Sequence, residues 1–275
     1  MGYNGYIEAE MSNESLAEVM QTKKSSLLGE IYENEYVIAR DENGTPVYFK
    51  YVNGEYLPVK YTCIKSEMGG TLKPLNEQQY CAFDMLMDKN IPIKLITGRF
   101  GSGKTLSCIV YALNAVELGE FEKIIFVRNN VQVKDTDPLG ALPGSDFDKM
   151  LPYVMPFADH CGGVEGLMTL IEQEKIEVIP LGFLRGRSIK NAIIYSMESE
   201  NLTKEQIQLI MGRVDKGSIL LMDGDIKQRD KANFEKSKGL ETMVDRLKGN
   251  KNFGYVHLIK SERSEVAAMA DLLDD

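Results

Sequence analysis

The chain has 275 residues, 43% of them hydrophobic and 27% charged, and a formal net charge of −9. That balance describes a globular protein with room for a large core, and it excludes a chain that coats nucleic acid through bulk positive charge. No apolar run reaches the roughly 18 residues of a membrane span, and the acidic N-terminus is no secretory signal. The four scattered cysteines fit reduced thiols, and two histidines leave little material for a zinc site or a Ser-His-Asp triad. A cytoplasmic location with no membrane partner is expected.

In chain order, residues 12–28 read as a helix, with a capping box at Ser15 and Glu18. The runs EYVIARD, VYFKY and EYLPVKY then alternate with Asn43-Gly44 and Asn53-Gly54. Asn-Gly tolerates positive φ in both central positions of a tight turn, so this stretch predicts a three-stranded antiparallel meander over about 35–62. The segment KSEMGGTLKP reads as a linker, which divides the chain into an N-terminal unit, 1–66, and a larger one, 67–275.

From Leu75 onward, strand and helix patterns alternate. IKLIT, KIIFVRN, KIEVIPL, AIIYSM, SILLMDG and YVHLIK predict the strands of a mainly parallel α/β sheet. Helices are expected at Lys104–Val116, at Thr203–Gly212 with a capping box at Thr203 and Gln206, and over about 237–248 and 262–273.

The strongest signal is ITGRFGSGKT, which holds Gly98-x-x-x-x-Gly103-Lys104-Thr105 between a strand and a helix, the context a Walker A phosphate loop requires. Its backbone, from Gly98 through Arg99, Phe100, Gly101, Ser102 and Gly103 to Leu106, is expected to wrap the phosphates of ATP. Lys104 would meet the outer phosphates and the Thr105 hydroxyl would ligate Mg²⁺. Ahead of this loop, Gln79 is preferred over Gln78 as a side chain whose amide brackets adenine.

These residues together resemble the PhoH family of RecA-like P-loop ATPases, from about Lys73 to Leu273. The resemblance runs through GRFGSGKT, DPLGALPG with KMLPYVMP, FLRGRSIKNAIIYSMESENLTKEQ, SILLMDGDIKQRD, SKGLE and SERSEV. The meander and linker are similar to the connector that precedes the ATPase in fusions of a PIN nuclease to PhoH. The first thirty-odd residues hold no counterpart of the nuclease's acids, so no ribonuclease activity is expected.

The resemblance implies a role for each matching residue. Glu198 stands where the family polarises the attacking water, Gln228 where it senses the γ-phosphate, and Arg263 where an arginine neutralises transition-state charge. It also implies a homo-oligomeric ring, such as a hexamer, with sites between subunits. The work done would be on RNA or single-stranded DNA, of helicase or remodelling type. Arg128, Arg185, Arg187 and Lys190 could touch nucleic-acid phosphates or the nucleotide, although a solvated loop is the plainer reading.

One position departs from the pattern. The family strand ends Asp-Glu-Ala-Gln-Asn, whereas this chain reads Met197-Glu198-Ser199-Glu200-Asn201. A thioether cannot serve Mg²⁺, which demands hard oxygen ligands. Asp223 or Asp225, on the following strand, is expected to supply the missing carboxylate. Without such compensation the chain would be a nucleotide-binding assembly or switch module with weak hydrolysis; a small-molecule kinase is a third reading.

Overall fold

The computed structural model describes residues 2–128, 154–226 and 238–262. The N-terminal part is a four-stranded sheet of β1 (Tyr6–Glu10), β2 (Tyr36–Arg40), β3 (Pro46–Val52) and β4 (Glu55–Pro58), in that order, with helix α1 (Asn13–Thr22) between β1 and β2. β2, β3 and β4 form the expected antiparallel meander. β1 adds a parallel edge that its sequence does not announce, pairing Tyr6 with Tyr36. At Asn53-Gly54 both residues take positive φ, as a tight hairpin requires. At Asn43-Gly44 only Gly44 does, and the Asp41 carboxylate organises that turn by accepting from the backbone N–H groups of Asn43 and Thr45. Helix α1 begins where the sequence suggests but ends at Thr22, short of residue 28, and Ser12, not Ser15, is its N-cap and accepts from the Ser15 N–H.

The segment expected to be a linker forms a small hairpin, β5 (Ile64–Ser66) and β6 (Gly70–Leu72). The Glu117 carboxylate holds its turn through the Ser66 hydroxyl and the N–H groups of Glu67 and Met68.

Next come α2 (Glu77–Met87), β7 (Ile93–Gly98), α3 (Lys104–Glu117), β8 (Lys123–Arg128), α4 (Gly163–Glu172), β9 (Ile176–Pro180), β10 (Ala192–Ser196), α5 (Lys204–Met211), β11 (Ile219–Gly224), α6 (Gly239–Leu247) and β12 (Phe253–Leu258). The six expected strands build one all-parallel sheet in the order β12-β7-β11-β10-β8-β9. This is the RecA-like P-loop architecture, with the antiparallel unit ahead of it. Thr203 and Gln206 form the expected capping box on α5. The expected helix over 262–273 and the proline-rich stretch before Val154 lie outside the described residues.

Alternate strand residues feed two apolar layers, as a sheet covered on both faces demands. Ile96, Tyr195 and Leu221 face the helices α2, α3 and α4, while Leu95, Ile194 and Leu220 face α5 and α6. Tyr36 and Ile38 of β2 join the first layer, so the N-terminal sheet is packed onto the larger unit.

Polar contacts fix that docking along one face of α2. Arg40 grips both Glu77 oxygens, Tyr48 stacks on Tyr80 at 4.7 Å, the Tyr36 hydroxyl donates to Asp84, and Lys50 pairs with Asp88. A further anchor is Asn34, held at φ 64, whose side-chain amide donates to the carbonyls of Lys251 at 3.0 Å and Phe253 at 3.1 Å. Replacing it strands buried carbonyls and imposes a left-handed φ on a residue that disfavours it. Asn34→Ala is therefore expected to lower unfolding free energy in urea by about 2–3 kcal/mol. An unchanged midpoint would mean that Asn34 does not hold the sheet in place.

Candidate phosphate and metal site

Strand β7 ends at Gly98 and α3 begins at Lys104, so the loop between them sits at the carboxyl edge of the sheet. Gly101 and Gly103 adopt φ of 72 and 82, a region that favours glycine. At Gly98 a Cβ would lie 2.7 Å from both the Leu258 carbonyl and the Ser102 hydroxyl, so only glycine fits there. No side chain caps the N-terminus of α3, so its first-turn N–H groups remain available for an anion. The Lys104 ammonium lies 5.4 Å from the centre of the half-exposed Phe100 ring and 3.5 Å from the Arg99 carbonyl. Arg99 itself is exposed.

A cleft of about 230 Å³ opens here, with Phe100, Gly101, Gly103, Lys104, Thr105 and Leu106 on one side and Glu198, Glu200 and Asp225 on the other. Its second wall follows from strand order. β11 lies between β7 and β10, and its register sets Asp223 beside Ile96, near the end of the phosphate-loop strand. Asp223 is fully buried. One of its carboxylate oxygens accepts the Thr105 hydroxyl at 2.5 Å, and the other accepts the Glu198 N–H at 3.1 Å. Burial pushes its pKa up to about 6, against the opposing pull of the Thr105 hydrogen bond and the Lys104 charge.

Met197 is partly buried and packs against the apolar core. One strand over, the Asp223 carboxylate touches the Thr105 hydroxyl. Asp225 is buried and reaches the cleft, and its backbone N–H donates to the Glu200 carboxylate at 3.1 Å. Glu198 stands exposed at the cleft with φ 50, a left-handed conformation that turns the chain from β10 into a short helical turn.

Glu200 was not singled out in the sequence; its carboxyl is pushed up to about 7, mainly by burial. Its position two residues beyond Glu198 was the available signal. Among the described residues, no cluster of three or more His, Cys, Asp or Glu side chains could hold a metal alone. Mg²⁺ is commonly held by one or two carboxylates together with substrate phosphates and water, and the Thr105 hydroxyl and Asp223 carboxylate are oxygen donors of the kind it takes.

The other expected residues fall into four groups. Gln79 is buried behind the loop: its amide donates to the Ser102 carbonyl at 3.0 Å and accepts the Leu75 N–H at 2.7 Å. Arg187 bonds Glu177, and Lys190 lies 4.0 Å from Asp215, both toward the amino edge of the sheet, away from the phosphate loop. That placement removes them from contact with a nucleotide there. Arg185 is exposed beyond β9, and Arg128 closes β8 opposite Pro180. Gln228 and Arg263 lie outside the described residues.

A family model described as PhoH-like protein matches residues 71–271. The chain belongs to the PhoH family. It is 32% identical over 258 residues to Protein PhoH2 of Bacillus subtilis, covering 88% of this chain and 57% of that protein. Against Protein PhoH2 of Thermobispora bispora the identity is 33% over 209 residues, covering 74% of this chain and 48% of that protein. A PhoH-like protein of Bacillus subtilis is 31% identical over 194 residues, covering 70% of this chain and 59% of that protein. The chain thus spans about half the length of these relatives. Membership agrees with the P-loop fold and phosphate loop described above, and no described helix is long and apolar enough to cross a membrane.

The raised pKa of Asp223 gives a pH test. Below about pH 6 a proton holds the carboxylate and competes with Mg²⁺, so Mg²⁺-dependent nucleotide affinity should fall with acidity. Titration with a fluorescent ATP analogue between pH 5 and 8 should show this limb in the wild type and lose it in Asp223→Asn. The same limb in both proteins would assign it to another group.

Proposed function

We propose that this chain is a Mg²⁺-dependent ATP hydrolase whose metal-holding carboxylate has moved from the position of Met197 to Asp223. The observation that carries the reading is the Asp223 carboxylate on the Thr105 hydroxyl, inside the phosphate cleft. Lys104 and the start of α3 would bind phosphate oxygens, while the Thr105 hydroxyl would ligate Mg²⁺ and Asp223, which accepts from that hydroxyl, would hold a metal-bound water. Bound Mg²⁺ neutralises charge on the phosphates. Glu198, at the cleft rim, orients the attacking water and accepts its proton. Glu198 at the cleft favours hydrolysis over the assembly-module reading, since a site that only binds has no need of a group to activate water.

Coupling to RNA or single-stranded DNA, and assembly into a ring in which Arg263 completes a neighbour's site, are part of the same proposal. They rest on the family resemblance. Arg185 and the exposed Lys190 are the groups of the expected basic loop most open to a phosphate backbone.

Steady-state turnover with and without single-stranded RNA tests the reading. Glu198→Gln should lower kcat by about 10²–10⁴-fold while nucleotide affinity persists. Asp223→Asn should raise the Mg²⁺ concentration for half-maximal activity at least ten-fold, and Asp225→Asn should change it far less. Wild-type protein that binds ATP tightly without turnover, with or without RNA, would sink the hydrolase reading.

A further inference from the structure

The phosphate loop is held from outside at three consecutive carbonyls. The Ser261 hydroxyl donates to the Phe100 carbonyl at 3.2 Å, the Glu262 N–H to the Gly101 carbonyl at 2.9 Å, and the Gln79 amide to the Ser102 carbonyl at 3.0 Å. In a planar trans peptide the N–H points opposite the C=O. Drawing these carbonyls outward therefore turns the N–H groups of Gly101 and Gly103 inward, while the Ser102 N–H closes a turn on Arg99.

The two holders are themselves joined. Asn76 caps α2 by accepting the Gln79 N–H, and its side-chain amide donates to the Glu262 carboxylate at 2.8 Å. Gln79 is only 5% exposed, its amide oxygen is engaged by the Leu75 N–H, and a Cβ on Gly103 would lie 3.0 Å from its amide nitrogen. A side chain so enclosed is poorly placed to read the edge of a base.

We infer that Gln79 is a positioning residue that, with the Ser261-Glu262 strap, presets the phosphate loop, and that it takes no part in recognising the nucleobase. The inference rests on the nucleotide-binding reading above. It implies that substrate is captured chiefly through its phosphate chain, and that any preference for adenine comes from other groups.

Inorganic tripolyphosphate, which has no base, separates the two roles. Calorimetric titration with Mg²⁺ and tripolyphosphate, ATP or GTP would be run at pH 8 on wild type, Gln79→Glu and Ser261→Ala. Gln79→Glu keeps the acceptor for Leu75 but removes the donor to Ser102. It should weaken all three ligands by the same factor, roughly ten-fold, and leave the ATP to GTP ratio unchanged. Ser261→Ala, at an exposed position, should cause a smaller parallel loss of about two- to three-fold. Melting of the ligand-free proteins checks folding; if Gln79→Glu is unfolded, Ser261→Ala carries the test. Loss of ATP affinity with tripolyphosphate untouched would overturn the inference alone, as would unchanged affinity for all three ligands. Wild-type protein that binds none of them would overturn the nucleotide reading as well.

Discussion

The hydrogen bond from the Thr105 hydroxyl to the Asp223 carboxylate is the constraint on which the site depends. It ties the first turn of the helix that receives the phosphates to the end of the neighbouring strand. A carboxylate buried completely is costly unless it is paired, and here a hydroxyl, a backbone N–H and the Lys104 charge supply the compensation. Magnesium brought to that place with a nucleotide would remove the remaining cost. The same groups that make Asp223 tolerable in the folded chain are those expected to surround the metal.

Strand order brings the proposed relocation within reach. Because β11 runs between β7 and β10, its tip lies between the phosphate loop and Glu198. A carboxylate at the end of β11 therefore reaches the hydroxyl that a carboxylate at the end of β10 would otherwise serve. Met197 packs against the apolar layer. Around the cleft, α2 links two neighbours: one face is clamped by the N-terminal sheet, and its first turn touches the phosphate loop and the strap after β12.

Much of this was legible in the sequence, for specific reasons. The six parallel strands are nearly continuous apolar runs, because a sheet covered on both faces leaves few polar positions. The phosphate loop is legible because close backbone approach at Gly98 and positive φ at Gly103 admit few residues other than glycine. β1 was missed because its partner is β2, thirty residues away, and a half-exposed edge strand carries little local pattern. The choice between Asp223 and Asp225 stayed open because it depends on the register of β11 against β7, which no local motif encodes. The roles of Glu200 and of the Ser261-Glu262 strap depend on contacts across long sequence separations and so left no mark in composition or spacing.

The relocated carboxylate is tested most directly by moving it back. Mg²⁺-dependent ATP turnover would be measured for Asp223→Ser, which removes the carboxylate and keeps a small polar side chain, and for Asp223→Ser combined with Met197→Asp. If Asp223 has taken over the metal-holding role, the single variant loses activity at physiological Mg²⁺ and the double variant recovers a substantial part of it. Wild-type Mg²⁺ dependence in Asp223→Ser would contradict the role assigned to Asp223.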